Sequence, residues 1–186
     1  MEKCRQQLPP EYKETLRLDL QSDGKQVLWV NGLATGIALV MFAAGWLLSR
    51  SFLHFENLLT LAAFLACVVL YMVLHELTHG LCMKVFGARR VKYGFTGLYA
   101  FAGSDEYFQK GAYIVVALAP LVVWGLVLLG LNWQGGAASF WFFYLLQLVN
   151  VSGAAGDLYV TARLLRLPGE TLVQDTGVSM KVFTRG

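Results

Sequence analysis

Charge is what this sequence has least of: Asp, Glu, Lys and Arg make up 15% of its 186 residues, against about 25% in a typical soluble domain. With 56% of the chain hydrophobic, that shortage argues against a soluble globular protein. Cysteine is scarce too. Cys4, Cys67 and Cys82 form no spaced framework, which supports neither a disulfide scaffold nor a cysteine-only zinc site. Fifteen Lys+Arg against twelve Asp+Glu leave a net charge of +3, too small and too scattered for a nucleic-acid partner. No repeat, low-complexity tract or linker marks a second domain, so residues 1–186 read as one unit.

What the chain does have is long apolar runs. One block runs from Val27 to Leu48, a second from Leu58 through the segment holding His75 and His79, a third from Ala112 to Leu131 and a fourth from Phe140 to Leu165. Each is long enough to cross a hydrocarbon core, which takes about 20 helical residues. The first is too long for a secretory signal and follows a stretch rich in both acids and bases, so it reads as a retained span. The expected fold is an all-α membrane protein with four transmembrane helices over residues 27–165, an N-terminal segment over 1–26 and a tail over 166–186. Lys and Arg collect on the cytoplasmic side of membranes. Here Lys3, Arg5, Lys13, Arg17 and Lys25 precede the first span, Lys84, Arg89, Arg90, Lys92 and Lys110 lie between the second and third, and Arg163, Arg166, Lys181 and Arg185 follow, leaving Arg50 alone across the membrane. Both termini are therefore expected in the cytoplasm, in a multi-pass protein of a prokaryotic plasma membrane.

Short cytoplasmic strand elements are expected outside the spans. Leu16, Leu18 and Leu20 alternate with Arg17 and Asp19. Val91, Tyr93 and Phe95, then Leu98 to Phe101, surround Gly94 and Gly97 as in a hairpin. Thr171 to Phe183 is similar, with Asp175-Thr176-Gly177 as its turn. That triplet matches the aspartic-protease signature, but such chemistry needs two facing carboxylates.

Within the spans the ionisable residues are His75, Glu76, His79 and Asp157, with Arg163 at the exit of the fourth. A carboxylate at membrane depth costs about 2.5 to 3.5 kcal/mol even on lenient scales, which marks such residues as functional. His75-Glu76-Leu77-Thr78-His79 is an H-E-x-x-H pattern. On a helix its two imidazoles share a face and can meet one ion about 2.0 to 2.1 Å away, with Glu76 beside it as general base. Catalytic zinc takes three protein ligands and keeps one position open. His54 lies on the opposite side, which leaves Asp157, Cys82, Asp105 or Glu106. His75 and Asp157 each lie about 27 Å along their spans from the far surface, whereas Cys82 is about 10 Å from His75 along one helix; depth favours Asp157. One Zn²⁺ with ionised Glu76 and Asp157 is formally neutral. The rival partner for Asp157 is Arg163.

The run Asn150 to Gly156 is rich in small residues, which let helices approach closely in lipid. Asn150 suits a substrate-backbone or oxyanion contact, and equally an interhelical hydrogen bond. Pro120 bends the third span and frees a backbone carbonyl. Gly32 and Gly36 form a G-x-x-x-G of the helix-packing kind, and Cys67 reads as an inert buried thiol.

These residues resemble the DUF3267 family of zincin membrane peptidases, which share a layout with the site-2 proteases. The resemblance is carried by Leu8-Pro9-Pro10-Glu11-Tyr12-Lys13, His75 to Gly80, Tyr99-Ala100-Phe101, Ala117-Leu118-Ala119-Pro120, and Asn150 through Asp157 and Leu158. It implies a peptidase in which His75, His79 and Asp157 hold zinc and Glu76 is catalytic. In site-2 proteases glycine follows the aspartate; here Gly156 precedes it and Leu158 follows. The expected function is a zinc-dependent membrane-embedded endopeptidase, with one Zn²⁺ per chain, acting on a membrane protein or peptide near the cytoplasmic face of the bilayer. A non-enzymatic scaffold with structural zinc and a metal transporter are the alternatives, and the oligomeric state is open.

Overall fold

The computed structural model describes residues 3–19, 23–49, 57–97 and 99–186. Arg50 and His54, expected across the membrane, and Leu20 and Leu98, expected in strand segments, lie outside the described residues. The structure is mostly helical, at 63%, and three of its helices are long and apolar enough to cross a membrane.

Helices α1 (Gly24–Ser49) and α2 (Leu58–Val85) start at side-chain caps. Asp23 accepts from the backbone N–H groups of Lys25 and Gln26 at 3.0 and 3.3 Å, and Asn57 accepts from that of Thr60 at 2.9 Å, so that otherwise orphaned first-turn donors are met. The Gln26 side chain is the main influence holding the Asp23 carboxyl below its ordinary value.

Helix α3 (Lys110–Gly153) has two limbs that meet at Gly136, where φ of 65° and ψ of −167° break the helix in a region that favours glycine. The limbs run antiparallel. Asn132 Nδ2 donates to the Phe140 carbonyl at 3.5 Å, and further along Asn150 Nδ2 donates to the Leu121 carbonyl at 3.2 Å. The first limb, Lys110–Ala137, is the third helix of membrane length. The block expected as one helix from Phe140 to Leu165 is divided instead. Ala154, with φ −78° and ψ 11°, ends α3, and α4 (Ala155–Leu165) begins afresh. The break falls in the small-residue run, where glycine weakens helix propensity.

The all-α expectation also needs correction, because a sheet closes one end of the helices. Strands β1 (Cys4–Arg5), β2 (Tyr12–Leu18), β5 (Tyr107–Gln109), β6 (Leu172–Asp175) and β7 (Met180–Arg185) form an antiparallel sheet in the order β1-β5-β6-β7-β2. β3 (Lys92–Phe95) and β4 (Ala100–Gly103) make a separate hairpin. Both expected hairpins are present, and β2 pairs with β7 from the other end of the chain. Between sheet and helices lies the core: Leu18, Phe108, Val173 and Val182 pack in one cluster with Val116, Val160 and Leu164. Away from it the helices turn large apolar side chains outward, Leu47 at 77% and Leu59 at 78% exposure among them, a surface suited to lipid.

Two close approaches set the hairpin over α2. A Cβ on Gly80 would collide with the Tyr93 hydroxyl, and one on Gly103 with the Thr176 backbone. Ser104 N–H donates to the Asp175 carbonyl at 2.6 Å, tying β4 to the β6–β7 turn. Gly32 and Gly36, expected at a helix contact, face open space among the described residues. Helix α1 is held instead at Gly45, which lies under the Tyr144 ring, while the Tyr144 hydroxyl donates to the Met41 carbonyl at 2.7 Å.

Candidate metal centre

One turn apart on α2, the His75 and His79 rings lie 4.8 Å apart between centroids, with their Nε2 atoms 3.1 Å from each other. Helix α4 brings Asp157 onto the same point. Its Oδ2 is 3.4 Å from His75 Nε2 and its Oδ1 3.5 Å from His79 Nε2. One ligand atom from each of the three residues lies within 4.8 Å of the others. Both histidines are buried. Asp157 sits in the first turn of α4, where the helix dipole favours negative charge. The break at Ala154 creates that helix end.

The other groups weighed as ligands lie elsewhere. Asp105 pairs with Lys92, and Glu106 accepts from the Arg89 backbone N–H and the Ser104 hydroxyl, each at 2.9 Å. Cys82 is outside the cluster. Arg163 lies over the Tyr159 ring, 6.0 Å from its centroid.

Each imidazole is held from behind. His79 Nδ1 is 2.9 Å from the Val116 carbonyl. Val116 stands four residues before Pro120 in α3, and proline has no N–H to fill the carbonyl at that distance. The carbonyl freed by Pro120 thus meets His79. A carbonyl only accepts, so His79 Nδ1 carries a proton, and in the neutral ring Nε2 turns a lone pair to the centre. His75 Nδ1 is 2.8 Å from the Tyr71 hydroxyl, which is 2.9 Å from Asn150 Oδ1. Asn150 is fully buried.

Glu76 joins His75, His79 and Asp157 in the wall of a cavity of about 360 Å³, lined also by Gly153 and Gly156, by Tyr99 to Ala102, and by Tyr113 and Asp175. Tyr71, Tyr113 and Asp175 are the polar groups that sequence reasoning missed. Tyr71 carried a signal, since it precedes His75 by one helical turn. Asp175 lies in the expected turn, with Gly177 at φ 84°. It accepts from the Tyr113 hydroxyl and, at 2.8 Å, from the Gly177 N–H; burial pushes its carboxyl above the ordinary range.

The arrangement fits a cation. A nitrogen of His79, the facing nitrogen of His75 and a carboxylate converge, and among the described residues no further hydrogen-bond donor separates them. One shared proton would relieve a single contact, whereas a divalent ion satisfies all three. Two nitrogens and an oxygen, with one side open to a cavity, form the donor set of a catalytic zinc site.

Comparison with known proteins points the same way. The sequence profile of the DUF3267 family, described as "putative zincin peptidase", matches residues 68–172, a stretch that contains His75, Glu76, His79 and Asp157. A Pyrococcus woesei protein described as "Uncharacterized 24.7 kDa protein in gap 5'region" is 28% identical over 119 residues. The aligned part covers 61% of this chain and 51% of that protein, so the chain spans about half the length of this curated relative. No solved structure matches the chain.

The freed carbonyl yields a test with two opposite signs. Pro120→Ala restores an N–H that competes for the Val116 carbonyl, while removing a residue that costs about 3 kcal/mol in a helix interior. Thermal stability is expected to hold or rise, and zinc affinity to fall by about tenfold or more. Melting curves and zinc titration against a chelator measure the two effects; unchanged affinity would show that His79 needs no such anchor.

Proposed function

The chain belongs to the DUF3267 family, and from that premise we propose that it is a zinc-dependent, membrane-embedded endopeptidase with a site-2-protease-like layout. The observation that carries this reading is the convergence of His75, His79 and Asp157 on a cavity that Glu76 also lines. His75 Nε2, His79 Nε2 and the Asp157 carboxylate would hold one Zn²⁺ per chain. When bound, the ion supplies a Lewis acid that activates water at neutral pH and polarises a peptide carbonyl. Glu76 is the general base: it takes the proton of the attacking water and passes it to the leaving amine. The open side of the cluster favours catalysis over structural zinc, whose sites are closed by four protein ligands.

Four crossings accommodate this site. The second limb of α3 and α4 together form the fourth, and the break at Ala154 is tolerated because it lines a cavity and not lipid. The start of α1, the start of α3 and the end of α4 connect to strands of the sheet and the end of α2 to the β3–β4 hairpin, the side that holds nearly all the Lys and Arg. That side is the cytoplasmic one, with both termini, and the β2–β7 pairing supports reading residues 1–186 as one unit. In a background without the native cysteines, single cysteines at Lys3 and Lys181 are expected to react with an impermeant thiol reagent only after cells are opened. One at Gly135 should react in intact cells, and the reverse pattern would refute the orientation.

A helical substrate must unwind before its carbonyls can be reached, and β4 offers a place for the unwound segment. The Thr96 N–H bonds the Tyr99 carbonyl at 3.0 Å, closing the hairpin. Alternation along the ladder then turns the backbone groups of Ala100 and Ala102 away from β3. They face the cavity beside Glu76, where an added strand can pair. The substrate is thus a membrane protein or peptide taken in extended form. Ala100→Pro removes one outward N–H without cutting the β3 ladder; turnover of peptide substrates is expected to drop at least tenfold with zinc content unchanged.

Metal analysis of detergent-purified protein tests the core of the reading. Wild type and Glu76→Gln are expected to carry about one zinc per chain, and His75→Ala and Asp157→Ala to lose it. Glu76→Gln should lack measurable proteolysis. Metal-free wild type after zinc is supplied would sink the enzyme reading, and full activity in Glu76→Gln would leave zinc a structural role.

A further inference from the structure

Behind His75 lies a chain of buried polar groups whose hydrogen atoms can be placed one by one. The Tyr71 hydroxyl has one hydrogen to give and two lone pairs. It stands 2.8 Å from His75 Nδ1 and 2.9 Å from Asn150 Oδ1. The orientation of the Asn150 amide is settled by its other end: Nδ2 is 3.2 Å from the Leu121 carbonyl, and a flipped amide would set two oxygens against each other. Asn150 Oδ1 therefore faces Tyr71 as an acceptor only, and the single Tyr71 hydrogen goes to it. Toward His75 the hydroxyl has only lone pairs left, so His75 Nδ1 must carry a proton, and in the neutral ring that a metal binds this leaves Nε2 bare.

From this we propose that Tyr71 and Asn150 are positioning residues, a hydrogen-bond relay that locks His75 in the tautomer able to hold a metal; the inference rests on the metal-site reading above. The sequence Leu121 carbonyl, Asn150 amide, Tyr71 hydroxyl, His75 imidazole runs in one direction, and reversing it breaks every link at once. Burial enforces the direction, since Asn150 is 0% and Tyr71 8% exposed and a misplaced polar group is costly there. The fold is built around the relay. Gly125 lets the two limbs of α3 close up, and a Cβ there would stand 3.3 Å from Asn150 Nδ2. Asn150 does not line the cavity, so it presents no face to a substrate and acts through Tyr71 and His75.

Zn²⁺ affinity, read by competition with a chelator, and the visible spectrum of the Co²⁺-loaded protein test the relay without reference to turnover. Tyr71→Phe is expected to weaken Zn²⁺ binding by about 10- to 100-fold. Asn150→Leu should be worse, because the Tyr71 hydrogen, having lost its acceptor, turns to His75 Nδ1 and drives the imidazole proton onto the metal-facing nitrogen. Adding Tyr71→Phe to Asn150→Leu should therefore restore affinity to the level of Tyr71→Phe alone, and with it the Co²⁺ band intensity lost in Asn150→Leu. Additive losses in the double variant would overturn the relay. So would wild-type affinity in Asn150→Leu accompanied by lost proteolysis, the result expected of a substrate contact. A wild type that binds no Zn²⁺ would instead overturn the metal-site reading itself.

Discussion

In an apolar interior each buried lone pair must find a donor or a cation, because an unmatched polar group there is costly. His75, His79 and Asp157 meet that demand at a single point, and three irregularities in the helices follow from it. Pro120 withholds an N–H, which leaves the Val116 carbonyl for His79. Gly136 reverses α3, so that its second limb returns beside the first and presents Asn150 to Tyr71. Ala154 interrupts the helix again, so that Asp157 stands at a new N-terminus. Straight, uninterrupted helices would satisfy their own backbones better but would hold neither imidazole and would leave the carboxylate without its dipole.

Stability draws on a different region from chemistry. Helix against helix in lipid gains little from the hydrophobic effect, since the surrounding chains are as apolar as leucine. The water-facing end does not share that restriction. Leu18, Phe108, Val173 and Val182 are essentially inaccessible, and each such side chain contributes about 1.5 to 3 kcal/mol on burial. Because Val116, Val160 and Leu164 belong to the same cluster, the sheet also fixes the ends of the helices that carry the Val116 carbonyl and Asp157. Thermodynamic anchoring at the sheet therefore sets the register of the metal centre one or two turns away.

Those parts of the molecule that follow from local pattern were legible before any coordinates. Helical spacing alone places His75 and His79 on one face, depth along two spans brings Asp157 to their level, and the position of Pro120 marks a freed carbonyl. The hairpins at Tyr93 and at Asp175 announce themselves through alternation around glycines. What was not legible depends on distant partners. β1 has two residues and β5 three, too few for any period, and β2 pairs with β7 across nearly the whole chain. Tyr71 and Asp175 are ordinary residues of a span and a turn until folding sets Asn150 and Tyr113 against them. The small residues from Asn150 to Gly156 read as a close helix contact, yet Gly153 and Gly156 line the cavity; small side chains permit close approach and open space equally, and only the fold chooses.

The choice of an aspartate as the third member of the cluster follows from the same constraint as the helix breaks. Three neutral imidazoles around a divalent ion would leave two unbalanced positive charges in a medium where one is already costly. In the proposed reading Asp157 would remove one and ionised Glu76 the other, so that a zinc-loaded site would be formally neutral. On that reading, protonation of Glu76 would leave one positive charge where negative charge develops on an attacked carbonyl, which is where electrostatic stabilisation of a transition state is worth most. The proposed general base would thus balance the charge of the loaded site at rest and, once protonated, favour the reaction, which ties the burial of the centre to the chemistry proposed for it.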